Sequence, residues 1–244
     1  MIELSIVIAA YNEEKRLPVT LGKILNDMVA LGVSYEILVV DDGSIDRTAA
    51  LVQKFTDIHP EVRIISHAPN RGRGFSIRRG VFASRGEIIL ETDADGSVDN
   101  EAIPRFLSFF REHPDIDVCI GSRRLPDAEI LGSQPFLRLI LGYGFLLLAK
   151  LLLGPWRTTD FTLGFKMFRR KAAEDIFSHQ YDNQYVAEAE ILFAAYRRRW
   201  RIQELPVVWS VNRDSRVRPM RDAARSLRGV FSILRRRGAG TYGE

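Results

Sequence analysis

The sequence predicts an α/β fold, an open and mostly parallel sheet with helices on both faces. Three observations predict it. Short apolar runs rich in Ile and Val recur at 4–10, 35–40, 62–66, 87–91 and 117–120, as strands buried on both faces require. Segments with apolar residues at helical spacing separate them. Acidic clusters stand where two of the runs end, at Asp41-Asp42 and Asp93-Ala94-Asp95, and ligands of such sheets bind beyond the carboxyl ends of the strands.

Taken in order, the run 4–10 opens the sheet, and Leu17, Leu21, Ile24, Leu25 and Met28 place a helix after it. A second strand, 35–40, ends at Asp41-Asp42-Gly43-Ser44, and 47–55 reads as helix. The third strand, 62–66, leads into an arginine- and glycine-rich turn and a helix over 75–83. The fourth, 87–91, opens into Thr92-Asp93-Ala94-Asp95-Gly96. A helix over 102–111 and a strand at 117–120 complete a βαβαβαβαβ series. From Pro126 the alternation stops. The segment 136–153 is strongly apolar apart from Arg138 and Lys150, and its charge-free stretch 139–149 is shorter than the roughly twenty residues a bilayer requires. It predicts a buried helix or one lying in a membrane interface. Residues 160–168 and 202–209 read as strands and 187–196 as a helix. Residues 220–237 form a basic amphipathic helix with Leu227, Val230, Phe231 and Leu234 on one face.

At 244 residues, with 46% hydrophobic and 27% charged side chains, the chain has material for one large α/β domain and is not disordered. One cysteine, Cys119, excludes an intramolecular disulfide and a cysteine-based zinc site, and its apolar neighbours predict a buried thiol. The N-terminus shows no basic leader, so a cytoplasmic location is expected. The net charge of +4 is unevenly placed, with arginines gathered at 197–199 and 235–237. Such a region suits a membrane surface, nucleic acid or an acidic substrate, and the acidic strand ends argue against nucleic acid.

Asp93 and Asp95, two apart in extended chain, present both carboxylates to one side. A hard divalent cation, magnesium or manganese, takes such oxygen ligands and completes its shell with water and phosphate. The segment is not an EF-hand loop, because Val98 and Pro104 stand where Gly and Glu belong. Asp41-Asp42 offers a second acidic pair, suited to a base or ribose or to capping the next helix together with Ser44. Asn70-Arg71-Gly72-Arg73-Gly74 matches neither a dinucleotide fingerprint nor a P-loop, yet glycines and arginines before a helix suit phosphates as well as a plain turn. Arg123, Arg124 and Arg138 either lie along apolar surface or meet a phosphate. The four histidines match no metal or triad spacing, and no nucleophile elbow is present.

Together these segments resemble the family 2 glycosyltransferases of GT-A fold, a Rossmann-like architecture. Ala10-Tyr11-Asn12-Glu13, Val39-Val40-Asp41-Asp42-Gly43-Ser44 and Asp93-Ala94-Asp95-Gly96 are similar to its opening, nucleotide-binding and metal motifs. Gly121-Ser122-Arg123, Asp160 with Gly164-Phe165-Lys166-Met167-Phe168, and Glu188-Ala189-Glu190 resemble the dolichyl- or polyprenyl-phosphate glucosyltransferase and mannosyltransferase branch. Thr162, Glu188 and Ser97 depart from residues common there, Gln, Asp and Gln respectively.

The resemblance implies that Ala9, Tyr11 and Glu13 hold the base and Val40 and Asp42 the nucleoside. It implies that Asp93, Ala94 and Asp95 carry metal and diphosphate, with Ser97 a weak further ligand. Arg73, Arg123, Arg138, Arg213 and Arg216 are candidates for donor and acceptor phosphates, and Asp160, Glu188 and Glu190 for the reacting end of the site. The implied activity is an inverting, Mg2+- or Mn2+-dependent transfer of hexose from a nucleotide-sugar, UDP-glucose before GDP-mannose, to a polyprenyl phosphate. A catalytic domain at 1–219 and a basic tail at 220–244 would hold the enzyme peripherally at the cytoplasmic face of a membrane through amphipathic interface helices. The competing expectations are a soluble family 2 transferase acting on a glycan hydroxyl and a nucleotide-sugar-binding protein without turnover.

Overall fold

A computed structural model describes residues 1–133, 136–153, 158–184, 186–211 and 219–243, with side chains left out at 136–141 and 219–224. The elements run β1 (Leu4–Ala10), α1 (Leu17–Leu31), β2 (Tyr35–Asp41), α2 (Thr48–Ile58), β3 (Val62–Ser66), α3 (Arg73–Ala83), β4 (Ile88–Asp93), α4 (Ala102–Glu112) and β5 (Val118–Ser122). They continue with β6 (Glu129–Leu131), α5 (Phe136–Leu153), β7 (Phe165–Arg169), α6 (Arg170–Ser178), α7 (Ala187–Arg197), β8 (Ile202–Pro206), β9 (Val208–Ser210) and α8 (Pro219–Gly238).

A seven-stranded sheet has the order β3-β2-β1-β4-β7-β5-β8, and β6 and β9 form a separate parallel pair. Only β7 runs against its neighbours, β4 and β5, within the large sheet. Strand β1 lies between β2 and β4, with Ala10 opposite Asp41 and Ala9 opposite Asp93. Both acidic strand ends therefore flank one short strand end. Two apolar layers enclose the sheet. One packs Leu21, Ile24, Phe106 and Phe110 of α1 and α4 against Ile6, Leu90 and Phe165. The other packs Ile77, Val81, Ile176 and Phe193 against Val7, Val40 and Phe168.

Two expected strands are corrected. The strand expected at 160–168 begins only at Phe165, because the preceding residues spend their backbone groups on side chains: Asp160 N–H donates to Glu204, and Thr162 N–H to Asp160. The strand expected at 202–209 divides at Val207, beyond which β9 leaves the sheet to pair with β6. The residues after β7, unassigned from the sequence, form α6. The predicted face of the C-terminal helix is also split: Val230 and Ile233 are buried, Leu234 is partly so, and Leu227 and Phe231 stay exposed. The C-terminal segment is no free tail, since Tyr242 is 1% exposed and packs edge-on to Phe193. Among the described residues no helix is long and apolar enough to cross a membrane.

Candidate active site

At the carboxyl end of β1 and β2, side chains lock two loops together. Asn12 Oδ1 accepts the Ile45 N–H at 2.8 Å, and Ser44 Oγ accepts the Asn12 N–H at 2.9 Å. Asn12 adopts φ +55°, a region Asn tolerates better than most residues. Thr48 Oγ1 accepts the Glu13 N–H, and Glu13 pairs with Arg16. The Tyr11-Asn12-Glu13 motif thereby carries a structural duty beside any contact with a base. Capping of α2 falls to Asp46, whose Oδ1 accepts the Thr48 N–H at 2.9 Å, and not to Asp42 or Ser44 as the alternative reading had it.

Asp42 faces the arginine–glycine turn. Its Oδ1 meets His67 Nε2 at 2.8 Å and accepts the Arg71 N–H at 2.7 Å, while Oδ2 accepts the Gly72 N–H at 2.8 Å. The carboxylate is buried and shapes that turn. Val40 is fully buried beneath α3, so its side chain does not line the edge. Ala9, half-buried beside Asp93, does lie there. His67, edge-on to Phe75, was missed from the sequence because an isolated histidine carries no spacing signal.

Asp93 and Asp95 follow the end of β4. Thr20 Oγ1 on α1 donates to the Ala94 carbonyl at 2.9 Å, and Asp95 Oδ1 accepts the Ser97 N–H at 3.0 Å. Ser97 thus meets Asp95 through its backbone, with its side chain buried. Arg73 Nε lies 2.8 Å from Asp93 Oδ1. Desolvation raises the pKa of Asp93 and Asp95 adds to that, with Arg73 opposing. Gly164 makes the close approach possible, since a Cβ there would run into Arg73 Nη2 and lie 2.8 Å from the Asp93 carboxylate.

Behind this pair lies an ion network that the sequence concealed. Lys166 on β7 is fully buried and donates to Glu91 (3.1 Å), to the Leu163 carbonyl (2.6 Å) and to Glu188 on α7. Glu188 also pairs with Arg73. Burial pushes Glu188 up, but Arg73 and Lys166 outweigh it and hold the carboxylate below its ordinary range. Glu91 is pushed up to about 7 by burial and by Glu188, with Lys166 and Arg73 opposing. Arg73 Nη2 and Glu91 Oε2 are buried without a hydrogen-bond partner. Glu91, Asp93 and Glu188 thus surround the two interior cations Arg73 and Lys166, and Asp95 lies 3.9 Å from Arg16 of the first loop.

Further along the edge, Asp160 grips Arg123 in a two-pronged ion pair, Oδ2 to Nε at 2.7 Å and Oδ1 to Nη2 at 2.9 Å. Burial would raise the Asp160 pKa, but the hydrogen bonds and charge of Arg123 lower it. Glu204 on β8 fixes the loop by accepting from the Thr159 and Asp160 N–H groups. Arg123 lies over Trp209 and Arg124 over Tyr143. The backbone of Arg138 is on α5, its side chain outside the described residues, and Arg213 and Arg216 lie wholly outside them. Glu190, expected at the reacting end, is fully buried and bonded to Tyr181, Asp182, Arg236 and Tyr242. Its carboxylate is spent on the protein interior, which removes it from the sugar-binding candidates.

This acidic edge on a mostly parallel sheet broken by one antiparallel strand is the arrangement of a GT-A glycosyltransferase. The profile of the Glycosyl transferase family 2 matches residues 5–177, and the chain belongs to that family of enzymes. It is 34% identical over 242 residues to the dolichyl-phosphate β-glucosyltransferase of Dictyostelium discoideum, covering 95% of this chain and 74% of the relative. The human dolichyl-phosphate β-glucosyltransferase is 35% identical over 228 residues, covering 89% and 70%. Among solved structures, glucosyl-3-phosphoglycerate synthase of Mycobacterium tuberculosis, in complex with Mn2+, UDP-glucose and phosphoglyceric acid, superposes with TM-score 0.66 at 19% identity. That match covers 95% of this chain and 78% of that one, and it shows the shared fold.

Proposed function

We propose that this enzyme transfers glucose from UDP-glucose to dolichyl phosphate or a related polyprenyl phosphate, with inversion. The Asp93–Asp95 pair carries the reading: two carboxylates at the carboxyl end of β4, on the sheet edge beside Arg73. The names of the relatives support the glucose and the lipid phosphate, and the Mn2+ and UDP-glucose of the structural neighbour support the cofactor and donor.

The residues fit a divalent cation. Asp93 and Asp95 supply hard oxygen donors, and a cation would offset both the desolvation that raises the Asp93 pKa and the smaller repulsion from Asp95. Mg2+ and Mn2+ are commonly held by one or two carboxylates, with water and substrate phosphate completing the shell. When bound, the ion would neutralise charge on the leaving nucleoside diphosphate. Arg73, fixed by Asp93 and Glu188, would set its positive charge beside the same group. Ala9, Tyr11 and Glu13 hold the base, and Asp42 acts on the nucleoside through the turn it shapes. Arg123 meets the acceptor phosphate, and Glu188 acts on the sugar end of the site through Arg73, which it holds.

In the transfer, the bond from the anomeric carbon to the diphosphate oxygen breaks and its electron pair leaves with UDP. A bond from that carbon to an acceptor oxygen forms on the opposite face. A phosphate acceptor is already ionised, so it needs alignment and no base. Beside the candidate acceptor arginine, Asp160 is held below the ordinary carboxylate range by Arg123 and is a poor base, which suits an acceptor that needs none.

Helix α5 leaves Tyr143, Leu147 and Leu151 exposed, one turn apart, and α8 leaves Leu227 and Phe231 exposed. With the arginines of α8 they form an amphipathic surface for peripheral contact with the cytoplasmic face of a membrane. Two measurements test the reading. Calorimetric titration should show UDP-glucose binding with Mn2+, abolished by EDTA, and weaker GDP-mannose binding; the reverse preference overturns the donor. Flotation with vesicles containing anionic lipid should retain the protein; no association weakens the lipid acceptor in favour of a soluble one.

A further inference from the structure

We propose that Glu190 is a positioning residue that couples the docking of α8 to the shape of the donor-phosphate turn at Arg71–Gly74. The importance of that turn rests on the function proposed above; the mechanical coupling does not.

Glu190 is fully buried, and both of its oxygens are engaged twice. Oε2 accepts the N–H groups of Tyr181 (2.8 Å) and Asp182 (2.6 Å), and Oε1 accepts from Arg236 Nη1 (2.8 Å) and the Tyr242 hydroxyl. Two donors come from the loop before α7, and two from α8 and the turn that follows it. A buried carboxylate that loses either pair is left under-satisfied, so the two attachments depend on each other.

The loop passes this constraint to the donor turn. The Asn183 carbonyl accepts the Phe75 N–H at 3.3 Å, Gln184 Nε2 donates to the Arg71 carbonyl at 3.2 Å, and Arg78 donates to the Gln180 carbonyl. Gly72 has φ +102°, and a methyl group there would run into the Asn183 carbonyl; one on Gly74 would strike Ala187. Close-packed contacts of this kind transmit displacement. Glu188, two residues earlier on α7, holds Arg73, so one helix supplies a carboxylate to each end of the path. Coupling of this kind is reciprocal: what seats α8 strengthens donor binding, and donor strengthens the seating of α8.

The test compares the full chain with Tyr242→Phe, Glu190→Gln and Asp175→Asn. The last loosens Arg198 and Trp200, which bond to Asp175, and leaves all four hydrogen bonds of Glu190 in place. Binding of UDP with Mn2+ and amide hydrogen exchange are both read. Tyr242→Phe and Glu190→Gln should weaken UDP roughly tenfold, a common size for coupling between sites. Exchange at residues 71–76 should rise together with that in α8, and Asp175→Asn should change neither. Unchanged UDP affinity with unchanged exchange at 71–76 in the first two variants overturns the coupling, as does an equal loss in Asp175→Asn. If the unaltered chain fails to bind UDP, the proposed function fails, and the exchange data still decide the coupling.

Discussion

Arg73 Nε stands 2.8 Å from Asp93 Oδ1, while the same guanidinium pairs with Glu188, which in turn holds the buried Lys166. A chain of alternating charges thus runs from the interior of the sheet to the carboxylate pair at its edge. Buried charges are costly to desolvate, and breaking such a pair from one side leaves the remaining charge uncompensated.

Lys166→Met should therefore destabilise the protein by about 3–5 kcal/mol, read as a lower urea midpoint. Lys166→Met combined with Glu91→Leu removes both buried charges and should recover much of the loss. Turnover should stay low in the double variant, because Glu188 no longer has the ammonium that aligns it. Full recovery of turnover would make Lys166 a purely structural residue.

Glu91 gives a pH signature. Its folded-state pKa, about 7, lies above the ordinary carboxylate value, so the folded chain binds a proton that the unfolded chain has released. Stability from this group is complete below the ordinary value and declines as pH rises to about 7. Whatever the offset of Glu91→Gln at pH 5, its melting temperature should gain on the unaltered protein between pH 5 and pH 8. A constant difference across that range would contradict the assignment.

Asp160 has the opposite sign. Arg123 depresses its pKa in the fold, so the stabilisation is present above the ordinary carboxylate pKa and is lost as pH falls through the depressed value. Asp160→Asn should cost about 3–5 kcal/mol near neutrality and progressively less in denaturation experiments carried below roughly pH 4. A penalty that does not shrink in acid would mean that the ion pair is not its source.

Asp95→Asn should retain the melting profile while metal-dependent turnover falls about 100-fold, the scale of losing one charge-stabilising group. Comparable turnover with and without the carboxylate would remove Asp95 from the metal site.

Much of this was legible because it is local. Strand runs such as 4–10 and the acidic strand ends carry period and position together, so the first five strands and the Asp93–Asp95 edge were read nearly to the residue. What escaped is non-local. The polar loop before β7 is held by Glu204, and α6 is short with a polar face, so neither announced itself by period. Lys166 and Glu91 stand opposite each other across β7 and β4, a pairing between distant segments that only the fold reveals. Glu188 and Glu190 look equivalent in Glu-Ala-Glu, yet on a helix two residues apart they diverge by about 200°: one meets Arg73, the other the C-terminal turn. His67 became meaningful only when folding set it against Asp42.

The most direct test is transfer of labelled glucose from UDP-glucose to dolichyl phosphate, followed into the organic phase with Mn2+, with Mg2+ and with EDTA. Lipid-linked label should need a divalent cation and disappear in Asp95→Asn. Metal-dependent hydrolysis of UDP-glucose with no label in the organic phase, or label undiminished by EDTA, would contradict the proposed metal-dependent transfer.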